Sequence, residues 1–359
     1  MRLRLGWQSG GWVLWLSALV MVAFVLRIVL VRDRSAGPRI GDGQHVESYA
    51  FDLSAFALPR APLVASPMPR NGVPVLFAPA VIAATEVEGI NERERGKYLV
   101  STDRVIGVAI AGEARAYPLR VLNWHEVAND TVGGMPLAVA YHPLCDSAVV
   151  FERRVQGHVL EFALSGLLYD SHHLLYDRAL EPGRESLWCP LSARAVSGPR
   201  VGAELQVLPC FLGPWGVWKE RHPETSVLAP RREMLERYQH SPYASYFASD
   251  GLHYPVEPQP PFGAERAEAP ALKTRIVVVG DGRQRVAVSM PMITRGGEVP
   301  GALRRRVGEL TLELVQHADP EWVDVKVVAG DAAKLETLYT FWFAWYALHP
   351  DTVLGEEGA

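Results

Sequence analysis

One tryptophan motif stands past the middle of the chain and stands again near its C-terminus. WGVWKERHPETSVL carries Trp215, Trp218, His222, Pro223, Thr225, Val227 and Leu228. WFAWYALHPDTVL carries Trp342, Trp345, His349, Pro350, Thr352, Val353 and Leu354, with the same WxxWxxxHPxT spacing. Upstream, RVIGVAIAGEARAYPLRVL is echoed by TRIVVVGDGRQRVAVSMPMI at 274–293. A repeat of this kind constrains the fold more than any single residue, because each copy should build the same piece of structure. We therefore expect two tandem similar units, residues 71–229 and 241–359, the second degenerate. Trp at i and i+3 lies on one helical face, so the WxxW pairs read as core packing, and His222 and His349, each before a proline, read as helix ends.

Within the first copy the periodicity is that of strands. VIGVAIAGEARAYPL gives two alternating runs joined at Ala111 and Gly112, and AVVFERRVQGHVLEF gives a second hairpin turning at Gln156 and Gly157. A short helix around 120–128 and a strand over 136–141 lie between them. The expected class is α+β and β-dominated, with the two units behind an N-terminal transmembrane helix.

That helix rests on GGWVLWLSALVMVAFVL, residues 10–26, which holds no charge and whose apolar character runs on to Val31. A bilayer crossing needs about 20 such residues. Trp12 and Trp15 suit one interface and Arg27 the other. No small-x-small site follows, so an uncleaved anchor over 1–31 is expected in preference to a removed signal. Arg2 and Arg4 precede the span and Arg27, Arg32 and Arg34 follow it, so charge counting is nearly balanced. The expectation is a single-pass cell-membrane protein with its globular part extracytoplasmic, in the periplasm. Residues 32–70, rich in Pro, Ala, Ser and Arg, read as a linker.

Composition narrows the partners. Hydrophobic content of 48% with 21% charged residues is that of a globular chain, and a net charge of −4 without a basic stripe argues against nucleic acid. Three cysteines, Cys145, Cys189 and Cys210, cannot all pair within one chain. Phosphate loops, GxSxG elbows and HExxH helices are absent; HEVAND is not HExxH.

The copies differ where chemistry would be sought. NWHEVAND, YHPLCDSAVVF, SGLLYDSHHLLYDR and SLWCP all fall in the first, and the second has no cysteine. These blocks resemble the DUF3179 family of uncharacterised proteins, over about residue 71 to the C-terminus. The resemblance locates a site without supplying an activity. It implies YCPLC where this chain has Tyr141, His142, Pro143, Leu144 and Cys145, and it carries an association with selenocysteine, which would make the position a reactive thiol or selenol. Against typical relatives, Cys189 stands where a polar residue such as Gln is expected. Replacing Cys by His at 142 keeps metal-binding capacity and removes CxxC disulfide cycling.

Three readings follow. The first is a copper or zinc site built from His125, His142 and Cys145, helped by Cys189 or by one of His172 and His173. Adjacent strand residues point to opposite faces, so both of that pair should not turn inward. The second is thiol redox chemistry at Cys145 with Cys189 as the resolving thiol. The third is a membrane-tethered binding module in which the second copy, with its aromatic helix, docks a partner and the first supplies only shape; Cys145 is then a buried structural thiol and His125 a satisfied core histidine. Asp170 and Asp177 with Arg178 read as an ion pair, with orientation of a ligand histidine as the alternative. Cys210 reads as structural.

Overall fold

The computed structural model describes residues 15–17, 19, 21, 37–93, 97–178, 183–258, 270–295 and 301–355. The chain forms two compact units, Met1–Gly37 and Pro38–Ala359. In the first, Trp15, Leu16, Leu19 and Met21 are helical and exposed. The rest of the expected anchor lies outside the described residues, and among the described residues no helix is long and apolar enough to cross a membrane.

In the second unit the alternating runs become open sheets. A seven-stranded sheet runs β18 (Arg285–Ser289), β17 (Arg275–Gly280), β22 (Glu336–Phe341), β8 (Ser147–Glu152), β7 (Met135–His142), β6 (Val127–Val132), β2 (Leu76–Phe77). A five-stranded sheet runs β1 (Leu63–Ala65), β11 (Phe162–Tyr169), β12 (His172–Asp177), β13 (Leu187–Cys189), β14 (Arg194–Ser197). A second five-stranded sheet runs β15 (Phe211–Pro214), β4 (Arg104–Ile110), β5 (Glu113–Pro118), β16 (Ser226–Leu228), β3 (Val81–Ala83). The small hairpin β9 (Arg154–Val155) and β10 (His158–Val159) and a three-stranded sheet of β19 (Ala302–Val307), β20 (Leu310–Ala318) and β21 (Glu321–Ala329) complete the strands. With its few short helices this is a β-dominated α+β fold.

The seven-stranded sheet is buried on both faces, which is why β7, β8 and β17 carry apolar residues at successive positions. In β7, Ala138 and Ala140 join one core with Phe162 and Trp188 of the β11–β14 side, while Leu137, Val139 and Tyr141 join the other with Ile106 and Tyr117. His142 continues the even-numbered face of β7, toward β12.

The stalk expected over 32–70 is, from Pro38 on, built into this unit. β1 pairs with β11, and Tyr49 is fully buried with its hydroxyl donating to the Ser66 carbonyl at 2.6 Å. Its strands are too short and irregular to show a period.

The repeated motifs make matched contacts. The Trp218 indole N–H donates to Thr225 Oγ1 at 2.9 Å, and that of Trp345 to Thr352 Oγ1 at 3.0 Å. His222 and His349 each lie 4.1 Å, ring to ring, from their tryptophans. Arg104 and Arg275, at matching places in β4 and β17, both bind the buried carboxylate of Asp146, at 2.9 Å and 2.8 Å. The two regions are nonetheless not separate bodies, since β22 pairs with β8 in one sheet.

Candidate metal centre

Glu126, His142 and His173 converge where the seven-stranded sheet meets the β11–β14 sheet, and one ligand atom of each lies within 4.8 Å of the others. Each is placed by a different device. After helix Leu119–Leu122 the turn residues 123–125 lead to Glu126, whose φ of 55° is left-handed, a conformation that favours glycine; from it the chain enters β6. Holding a non-glycine residue there costs about 1–2 kcal/mol, so the carboxylate is retained against a local preference. His142 is the last residue of β7, before the turn Pro143–Cys145. His173 follows the hairpin turn at Asp170 and Ser171, both with positive φ, as a two-residue primed turn requires.

The hydrogen bonds decide which nitrogens are available. His142 Nε2 is 3.0 Å from the Ser171 carbonyl, which can only accept, so Nε2 carries the proton. In a neutral ring Nδ1 is then a lone pair, and it faces Glu126 Oε2 at 3.4 Å. Two lone pairs in that relation call for a cation between them, a proton or a metal ion. His173 Nδ1 lies 2.9 Å from the same oxygen, while its Nε2 is buried without a partner. Three ligand atoms thus surround one point, and a buried ring nitrogen is left over.

The other candidates are placed differently. His172 Nδ1–H donates to the His173 carbonyl at 2.9 Å and Nε2 accepts from Ser147 Oγ at 2.8 Å, so both nitrogens are in use. It is nevertheless buried against His142, as His173 is, with ring separations of 5.3 Å and 4.4 Å, so both histidines turn inward despite the strand alternation. His125 is engaged by the Pro74 carbonyl at 2.6 Å and the Tyr238 hydroxyl at 2.8 Å, outside the group. Cys145 is buried, its Sγ donating to the Ser171 carbonyl at 3.4 Å; Cys189 and Cys210 are also buried, and all three are free thiols. Asp177 pairs with Arg200 at 3.0 Å rather than with Arg178, and Asp170 accepts from the Glu257 backbone N–H.

Electrostatics agree with this division. Burial alone would raise the Glu126 carboxyl, but His142 and His173 outweigh it and hold it at about 2. Burial, then the neighbouring His142, push His173 down to about 4 against the pull of Glu126, and burial drives His172 well below its ordinary value. A carboxylate thus lies beside the depressed imidazoles of His173 and His172, and a deprotonated carboxylate with neutral imidazole is what a divalent cation requires. Burial pushes the Cys145 thiol well up, and Cys189 with it, the opposite of what a thiolate nucleophile needs.

The group opens on a chamber of about 330 Å³. Glu126, His142 and His173 line it, with Leu164, Leu167 and Leu174 among its buried walls. Exposed Met68 and His253 also line it, so it reaches solvent.

Of the three residues of this group, sequence reasoning named His142 and His173 as candidate ligands and did not name Glu126. The signal was its place beside His125.

A family model described as "Protein of unknown function (DUF3179)" matches residues 70–322, more than half of the chain. No curated protein matches, and no solved structure does.

Proposed function

This chain belongs to the DUF3179 family, and from that premise we propose that it is a membrane-anchored, extracytoplasmic metal protein whose ion is held by Glu126, His142 and His173. One observation carries the reading: the Nδ1 atoms of His142 and His173 lie 3.4 Å and 2.9 Å from a single Glu126 oxygen, with the His142 proton committed to a carbonyl on the far side of the ring. Two imidazoles and a carboxylate form the donor set of catalytic zinc, and the same set suits iron(II). Of copper and zinc, zinc fits better, because no sulfur belongs to the group and copper(I) favours sulfur. Three protein ligands beside a chamber leave a coordination position for water or substrate, as in catalytic rather than structural sites. The membrane placement is supported by the uncharged run at 10–26. Duplication of one ancestral unit is supported by the WxxWxxxHPxT repeat and its matched contacts.

The test is elemental analysis of the full-length protein after loading with zinc and dialysis. Wild type should retain stoichiometric metal, as should His125→Ala and the Cys145→Ser, Cys189→Ser double variant. His142→Ala combined with His173→Ala should lose it by at least tenfold. Equal metal in wild type and the histidine double variant ends the proposal.

A further inference from the structure

We infer that the chamber beside the three ligands is a binding site for a small molecule with an apolar alkyl or aryl body and a single polar head, the head engaging the Glu126, His142 and His173 end. The inference rests on the metal reading for the head and on the chamber alone for the body.

The lining divides by chemistry. Met68, Val73, Leu144, Leu164, Leu167, Leu168 and Leu174 present only carbon and sulfur, and Leu167 and Leu174 are fully buried. Polar groups are few and local: the ligand triad, Ser66, and the ring groups of Tyr243, His253 and Tyr254. Cavities of this size with apolar walls and a few convergent polar groups are the usual form of small-molecule sites. A charged or heavily hydroxylated molecule would lose hydration against the leucines without recovering it.

The head has a specific partner. If His173 gives its Nδ1 lone pair to the ion, the ring proton moves to Nε2, the buried nitrogen without a partner. That N–H would be a buried donor without an acceptor in a residue that lines the chamber, and an oxygen of a bound ligand would accept from it. Such a ligand restores the hydrogen bond that the fold omits.

Part of the chamber's lining, Tyr243, His253 and Tyr254, comes from the connection between the two repeated regions, which is fastened to the hairpin turn before His173. Ser171 Oγ donates to the Tyr254 carbonyl at 2.9 Å, and the Glu257 N–H donates to Asp170 at 2.9 Å. Tyr243 and Tyr254 therefore face whatever occupies the chamber from a defined position.

The experiment titrates acetohydroxamate, butanohydroxamate, hexanohydroxamate and octanohydroxamate into the full-length protein, zinc-loaded and chelator-stripped, by calorimetry in the same detergent. Affinity should rise roughly fourfold per added methylene while the chain remains inside the chamber. Val73→Trp and Met68→Trp fill it from a half-buried wall and from the exposed rim, and should flatten that rise. A flat series in wild type, or the same slope in wild type and both variants, overturns the inference. Stripping the metal tests the other reading separately. A uniform loss across the series at unchanged slope supports both, whereas unchanged affinity at unchanged slope removes the metal and leaves the chamber standing.

Discussion

The hairpin β4–β5 with helix Trp215–Arg221 and the hairpin β17–β18 with helix Trp342–Leu348 share their frame and differ in what is inserted into it. In each, a strand pairs with the first strand of the hairpin and runs into the tryptophan helix. The first helical N–H returns to the residue before that hairpin, Trp215 to the Asp103 carbonyl at 2.7 Å and Trp342 to that of Thr274 at 2.8 Å. Between hairpin and helix the first region carries β6 to β14, with Glu126, His142 and His173; the second carries the three-stranded sheet of β19–β21. Repeated residues thus build support, and the candidate metal centre sits in the part that is not repeated. Neither WxxW pair nor either HP histidine reaches the metal centre.

Four measurements would break or sharpen that comparison. The largest effect is expected at Asp146, which both regions share. Asp146→Ala leaves Arg104 and Arg275 without their buried partner and should cost about 3–5 kcal/mol in chemical denaturation. A loss confined to a few tenths would mean that the regions do not meet there energetically.

Gly107 marks a difference within the frame. A Cβ on it would lie 2.3 Å from the Trp218 ring, whereas the matching place in β17 holds Val278. Gly107→Ala should cost about 1–3 kcal/mol by overpacking, and Val278→Ala should act as an ordinary loss of buried methyls.

The pH dependence separates the two HP histidines. Burial and the nearby arginines hold His349 at about 4 against an ordinary 6.5; His222 is lowered by burial and by Arg221, and is half-exposed. A base whose folded pKa is depressed leaves the native state with fewer protons than the unfolded one. Its stabilisation is therefore complete above pH 6.5 and is lost as pH falls toward 4. His173 acts in the same window and Glu126 in a lower one, while Asp170, raised to about 6 by burial, acts in the opposite sense between 3.8 and 6. Thermal melts from pH 7 to 4 should show a falling Tm, and His349→Gln should flatten the fall more than His222→Gln does. The reverse order would contradict the burial difference.

Smallest and most alike are the two threonines. Thr225→Val and Thr352→Val each leave a buried indole N–H unpaired, at about 1–2 kcal/mol. Values differing by more than about 1 kcal/mol would show that matched geometry conceals unequal packing.

How much of this was legible follows from the kind of contact involved. The hairpin at Ala111 and Gly112 was readable because alternation and turn residues are local, and both residues have the positive φ of a primed turn. His142 and His173 were readable as ligand types in a region without counterpart in the second copy. Glu126 was not, since its role depends on a left-handed residue in the turn before β6 and on the meeting of two sheets, neither of which has a sequence period. The saturation of His125 and His172 was equally hidden, because their partners Tyr238 and Ser147 lie 113 and 25 residues away. The linker reading failed over residues that pack without forming long elements.

The turn after His142 has a consequence for the order of events in the cell. Asp146 is gripped by Arg275, the Cys145 carbonyl accepts from Thr340 Oγ1 at 3.2 Å, and the Leu144 carbonyl accepts from the Tyr246 hydroxyl at 2.8 Å. All three partners are synthesised long after the turn they hold. During translation the segment around His142 therefore emerges before these three contacts can form, and the sheet that carries it is completed only when the C-terminal strand β22 pairs with β8. On our reading of the site, the ion is acquired by a finished chain, and truncation between His173 and Phe341 would leave the metal ligands present but unassembled.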